Sequence, residues 1–142
     1  VGIKGSVEEA ELSYIIRDHD SDKFEQKKQL MWDVVNFLQR KYGEKHLTLT
    51  LKDQYYNMRK MVEPHPQLID KARRAMIEAG VKPHVKPIRG GTDGSRLSFM
   101  GLPCPNLFTG GMNFHGRYEY VSLTTMNRAM NTIINLARIW AE

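Results

Sequence analysis

The chain has 142 residues, with Lys+Arg 21 against Asp+Glu 16 and a net charge of +5, a length that fits one domain or two small ones. Its 41% hydrophobic and 26% charged residues match an ordinary soluble globular protein and exclude a wholly disordered chain, a collagen-like repeat or a charged tail. A single cysteine, Cys104, excludes an internal disulfide and a cysteine-built zinc cluster.

In chain order, Leu12, Tyr14 and Ile16 alternate with Glu11, Ser13 and Ile15, the period of a half-buried strand. The turn Lys4-Gly5-Ser6 makes Val1 to Lys4 an antiparallel neighbour. Asp18-His19-Asp20-Ser21-Asp22 supplies capping oxygens, and Asp22 with Glu25 fits a capping box. The spacing predicts a helix over 23–42 with Phe24, Met31, Val34, Val35, Leu38 and Tyr42 on one face, stopped by Gly43. His46 to Lys52 alternates strictly and predicts a strand with Leu47, Leu49 and Leu51 inward. Strand, helix and strand make a compact α/β unit.

The pattern lapses over 53–62, a connection or hinge. Pro66 suits the first position of a helix whose stripe is Leu68, Ile69, Ala72, Ala75, Met76 and Ala79, ended by Gly80. Prolines then make 83–89 extended. Gly90 to Gly94 is a turn into a short helix over 95–100, capped by Thr92 or Asp93. A second extended run, 103–109, leads to the polar and aromatic loop 113–119. A last helix over 123–140, capped by Ser122 or Thr124, carries Met126, Ala129, Met130, Ile133, Ile134, Ala137 and Trp140. This alternation predicts parallel strands near 85–88 and 104–108 covered by helices, with loops 89–94 and 109–119 at the strand ends where ligands gather.

Apolar runs are too short to cross a bilayer, and the first residues lack both an initiator Met and a signal-peptide core. The expectation is a cytoplasmic protein in a reducing compartment, entered partway along its chain. Basic residues concentrate over 71–89, but no aromatic interleaves them; a nucleic-acid surface would carry both. The stretch reads as a solvated helix face and loop, or as a seat for a small anion.

Arg89-Gly-Gly-Thr-Asp-Gly94 joins a guanidinium, which grips a carboxylate through paired hydrogen bonds, to a turn and helix start. The same residues also make an ordinary strand-to-helix turn with Asp93 as a cap. His115, between Phe114 and Gly116, is placed to ligate a metal or act as a base, or simply to be solvated. Glu119 is close enough in sequence to orient it. His19, His46, His65 and His84 read as structural or exposed, and Cys104, between two prolines, as a small buried apolar group.

The stretches Ile88-Arg-Gly-Gly-Thr-Asp-Gly94, Leu97 to Gly111 and Asn113-Phe-His-Gly116, with Tyr14-Ile-Ile-Arg-Asp18 and Tyr55-Tyr-Asn-Met-Arg59, resemble the tripeptide aminopeptidases. Those are co-catalytic zinc exopeptidases related to carboxypeptidase G and aminoacylase. The resemblance runs over nearly the whole chain and is most specific over 87–116. It implies that 1–56 is the second half of a lid, or dimerisation, domain and that 57–142 is the C-terminal part of a catalytic domain. It also implies an enzyme that releases the N-terminal residue of tripeptides with two zinc ions, acting as a homodimer, with neither nucleic-acid nor membrane partners. Residue by residue, His115 matches a zinc ligand, Arg89 the group that holds the substrate carboxylate, and Arg17 the lid arginine that closes on substrate.

Met112 and Phe114 depart from tyrosines expected there, and Tyr118 from a histidine; these departures bear on substrate preference. The other ligands and the general base match nothing in these residues, and a catalytic zinc takes three protein ligands. The chain alone is therefore expected to be inert. The alternative is a non-catalytic binding or dimerisation module in which exposed strand edges pair with another chain.

Overall fold

A computed structural model describes residues 2–88 and 90–142; Val1 and Arg89 lie outside the described residues. The chain forms two compact units that divide between Asn57 and Met58.

In the first unit, β1 (Gly2–Gly5) pairs antiparallel with β2 (Ala10–Ser13), setting Ile3 opposite Leu12 and Gly5 opposite Ala10. The reversal falls at 6–9 and not at Lys4–Ser6. Ser6 organises it: its N–H donates to the Glu9 carbonyl at 2.7 Å, and its Oγ accepts from the N–H groups of Glu8 and Glu9.

Helix α1 (Ser21–Tyr42) is capped by Asp20, whose Oδ1 accepts the Lys23 N–H at 2.9 Å. The capping-box expectation for Asp22 is therefore corrected, because Asp22 already lies inside the helix. Arg40 and Lys41 in the last turn complement the helix dipole, and Gly43 at φ 100° ends it. Phe24, Lys28, Met31, Val35 and Leu38 face inward, whereas Val34 and Tyr42, expected beside them, are exposed.

Beyond a 3-10 turn at Glu44–His46, Leu47, Leu49 and Leu51 are half-buried and Thr48, Thr50 and Lys52 exposed. The alternation is present, but no ladder forms over 47–52. Side-chain period selects a face, whereas a strand also needs a neighbour to take its N–H and C=O groups. The start of this run is tied to α1 by Gln39 Nε2, which donates to the Leu47 carbonyl at 2.8 Å. The strand–helix–strand unit is therefore not closed by a second ladder among the described residues.

The second unit begins with the short α2 (Arg59–Val62) and α3 (Pro66–Glu78), which Pro66 starts. The α3 stripe is as the spacing predicts, with Ala72 and Ala75 buried and Leu68, Ile69, Met76 and Ala79 half-buried. Alanines allow close approach, and α3 packs on α5 (Leu123–Ala141). Lys71 Nζ donates to the Ile139 carbonyl at 3.1 Å and sits 4.0 Å from the Trp140 ring centroid, a cation–π contact. Asn135 Nδ2 donates to the Ala75 carbonyl at 3.4 Å. Arg74 pairs with Glu142 at 2.8 Å and Arg138 with Glu78.

On α5 the buried face is Ala129, Thr132 and Ile139. Of the stripe expected from the sequence only Ala129 belongs to it. Met126, Met130, Ile133, Ile134 and Trp140 are exposed, because α3 covers one arc of a helix that is apolar over a much wider one.

Helix α4 (Asp93–Phe99) starts two residues earlier than predicted, with Thr92 as its cap. The runs near 85–88 and 104–108 carry no ladder, so the parallel strands expected there are absent among the described residues. Pro83, Pro87, Pro103 and Pro105 remove donors that a ladder would use. The second ladder is instead a short antiparallel pair, β3 (Gly111–Met112) with β4 (Tyr120–Val121), joined by the loop 113–119.

Candidate functional site

The loop 113–119 holds His115, and three local features fix its path. Asn113 and His115 both adopt left-handed backbone, at φ 55° and 64°, a region that non-glycine residues enter at a cost. The Gly116 N–H closes a turn onto the Asn113 carbonyl at 2.8 Å, and Asn113 Nδ2 donates to the Tyr118 carbonyl at 3.2 Å. Glu119 Oε2 accepts the His115 backbone N–H at 2.8 Å. Glu119 therefore holds the loop by its main chain, and its bond to His115 is not to the imidazole.

The base of this loop is fastened to α5. Thr125 Oγ1 donates to the Gly110 carbonyl at 2.9 Å. Gly110 has φ 86°, and a Cβ there would meet the Thr125 backbone at 2.8 Å; a side chain at this position is excluded by both conformation and space. A Cβ on Gly111 would stand 2.5 Å from the exposed Phe114 ring, which would have to turn aside. The exposed imidazole thus projects from a tightly held hairpin.

The second motif is built around α4. Thr92 Oγ1 accepts the Ser95 N–H and an Asn106 Nδ2 donor, the latter at 3.2 Å. Ser98 Oγ donates to the Gly94 carbonyl at 2.6 Å and accepts the Cys104 N–H at 2.9 Å. The run at 104–106 lies so close on the first turn of α4 that a Cβ on Gly94 would come within 2.5 Å of the Cys104 carbonyl oxygen. The Gly-Gly-Thr-Asp-Gly sequence is therefore a locked turn with an identifiable steric need for its last glycine. Arg89, the cation that precedes it, is outside the described residues, and Cys104 is half-buried.

Arg17 belongs to the first unit and is exposed; its carbonyl accepts from Lys27 Nζ at 3.0 Å. Next to it, Asp18 pairs with the same ammonium at 2.7 Å. That hydrogen bond, aided by the Asp20 N–H, pulls the Asp18 carboxyl from 3.8 down to about 2.

A polar cluster in the first unit was not anticipated from the sequence. Lys28 Nζ lies 2.8 Å from Glu25 and 3.0 Å from Asp53, whose other partner, the Tyr56 hydroxyl, donates at 2.6 Å. The Tyr56 and Lys28 hydrogen bonds hold the Asp53 carboxyl below its ordinary range, while Glu25 and Asp53 raise Lys28. The Glu25–Lys28 spacing of three is a readable signal; the partnership with Asp53, 25 residues on, is not. With Gln29, Trp32 and Leu51 these residues line a shallow cleft, and they tie the leucine run to α1.

No cluster of three or more His, Cys, Asp or Glu side chains able to hold a metal occurs among the described residues. His115 offers one imidazole, short of the three protein ligands of a catalytic zinc, so the residues present do not by themselves fit a zinc centre. No helix among the described residues is long and apolar enough to cross a membrane.

The profile of the peptidase family M20/M25/M40 matches residues 3–139. Peptidase T of Clostridium perfringens strain SM101 is 54% identical over 140 residues, covering 99% of this chain and 34% of its own length. Peptidase T of Parabacteroides distasonis is 55% identical over 144 residues, and that of Bacillus licheniformis 52% over 142, covering 34% and 35% of those proteins. The chain thus spans about a third of the length of the curated relatives it matches. With nearly all its residues inside the family profile, the chain belongs to peptidase family M20/M25/M40.

Proposed function

We propose that this chain is the C-terminal portion of a zinc aminopeptidase that releases the N-terminal residue from tripeptides. The supporting observation is identity above 50% to peptidase T along the whole chain. Residues 1–56 are the second half of the lid, and 57–142 the last part of the catalytic domain. Division of the chain between Asn57 and Met58 supports this assignment. The lid unit is also the homodimer contact of the full-length enzyme in this reading.

His115 contributes one imidazole to the metal centre from a hairpin whose path is set by left-handed backbone and by Thr125. Arg89 takes the carboxylate end of the peptide and Arg17 closes on substrate from the lid. Both rest on chemistry suited to the task, since a guanidinium binds a carboxylate through two parallel hydrogen bonds. The remaining donors and the general base are supplied by polypeptide outside these 142 residues, so the chain alone holds no catalytic zinc and turns over no peptide.

Grafting tests this. A Clostridium perfringens peptidase T carrying this chain in place of its own matching segment is expected to hydrolyse a tripeptide with zinc. In that protein His115→Ala should lose bound zinc and activity together, and Arg89→Ala should raise KM. The isolated chain with added zinc should give no turnover above blank. Activity of the isolated chain, or an active graft that is indifferent to His115→Ala, would overturn the reading.

A further inference from the structure

Helix α5 is apolar on two faces. At about 100° per residue, Ala129, Thr132 and Ile139 form one arc, packed on α3. Met126, Met130, Ile133 and Ala137 form a second arc roughly 120° round the axis, and all four are exposed. That second arc carries no charge. Asn127, Asn131 and Arg138 occupy the remaining, polar side. A helix apolar over about half of its circumference presents more apolar surface than one neighbouring helix covers, and α3 covers only one of the two arcs.

The area agrees. The chain exposes 11,775 Å², whereas a folded monomer of its mass exposes about 7,500 Å², and two separate globules of the sizes of its units about 9,000 Å². The surplus of roughly 2,700 Å² or more is spread over both units, and the uncovered arc of α5 is one part of it.

We infer that the Met126–Met130–Ile133–Ala137 face of α5 is the seat of the polypeptide that makes up the other two-thirds of the relatives' length. The inference rests on the reading of this chain as part of a longer peptidase. Two observations select that occupant over a second copy or an unrelated partner. About two-thirds of each matched relative lies outside these residues, enough chain to cover a surplus of this size. The face is moreover continuous along the helix that packs on α3 and fastens the His115 hairpin, so covering it would join the missing polypeptide to the candidate site.

Thiol accessibility tests the assignment without relying on activity. On backgrounds with native cysteines replaced by serine, Met130→Cys, Ile133→Cys and the polar-side control Asn131→Cys are alkylated with iodoacetamide in the isolated chain and in the Clostridium perfringens graft. Positions 130 and 133 should react freely in the isolated chain and roughly 100-fold more slowly in the graft, as burial of a thiol dictates, while position 131 reacts in both. Equal reactivity of 130 and 133 in the two proteins would overturn the inference. So would protection already present in the isolated chain and lost on dilution, which would assign the face to a second copy. A graft that protects both positions yet hydrolyses no tripeptide would sustain this inference and sink the enzymatic one.

Discussion

The α3–α5 pair and the leucine run at 47–51 both show a regular apolar period, yet only the first meets a partner element along it. Each helix satisfies its backbone within itself, and α3 and α5 bury one apolar face of each against the other. Ala72 and Ala75 on α3 and Ala129, Thr132 and Ile139 on α5 are buried, and the two helices pack together. Leu47, Leu49 and Leu51 turn to one side as their period requires, but with no adjacent strand their backbone groups make no ladder. Where β1 meets β2 and β3 meets β4 the ladder forms; over 47–52 only the alternation of the side chains remains.

The largest expected effect strikes the helix pair. Ile139 is 1% exposed, and Ile139→Ala should cost about 2–5 kcal/mol through lost burial and the cavity left behind, read from urea unfolding followed by circular dichroism. A cost below about 0.5 kcal/mol would mean that the pair is not the core it resembles.

The His115 hairpin stands between the two cases, a short ladder steadied by a helix. Gly110→Ala introduces a Cβ at positive φ against the Thr125 backbone and should cost about 1–3 kcal/mol, with Ser122→Ala, which removes the α5 cap, costing about 1 kcal/mol. Thermal melts of both variants check the ordering.

For the leucine run the prediction is near-silence. Leu49→Thr should change stability by less than about 0.5 kcal/mol, and the 47–52 amides should exchange with solvent nearly unprotected while those of α3 and α5 exchange slowly. Strong protection over 47–52 would break the comparison, since it would require a ladder.

The smallest effect is electrostatic. The Asp18 carboxyl titrates near 2, below its ordinary 3.8, so its contribution is present above 3.8 and is lost as pH falls through about 2. A carboxyl NMR titration should place the midpoint near 2, and Lys27→Met should return it towards 3.8.

The same contrast explains what could be read in advance. Pro66, Gly80, Thr92 and Ser122 mark helix ends by local chemistry, and the structure uses them so. Asp20 displaced Asp22 as a cap because several acidic residues were available and the backbone chose the extended one. The α5 stripe misled because Met126, Met130 and Ile133 are as apolar as Ala129, and periodicity does not say which of two neighbours is present. For the candidate site, His115 was visible as a loop imidazole, but Glu119 binding its backbone and Thr125 clasping Gly110 depend on folding across turns that no spacing rule encodes.

The clasp between Thr125 and Gly110 makes the imidazole an indicator of events on the helix. A tilt or slide of α5 pulls directly on the hairpin's root, so the ring resonances of His115 should respond whenever a neighbour settles on the far side of that helix. One proton spectrum would then report assembly long before any product accumulates.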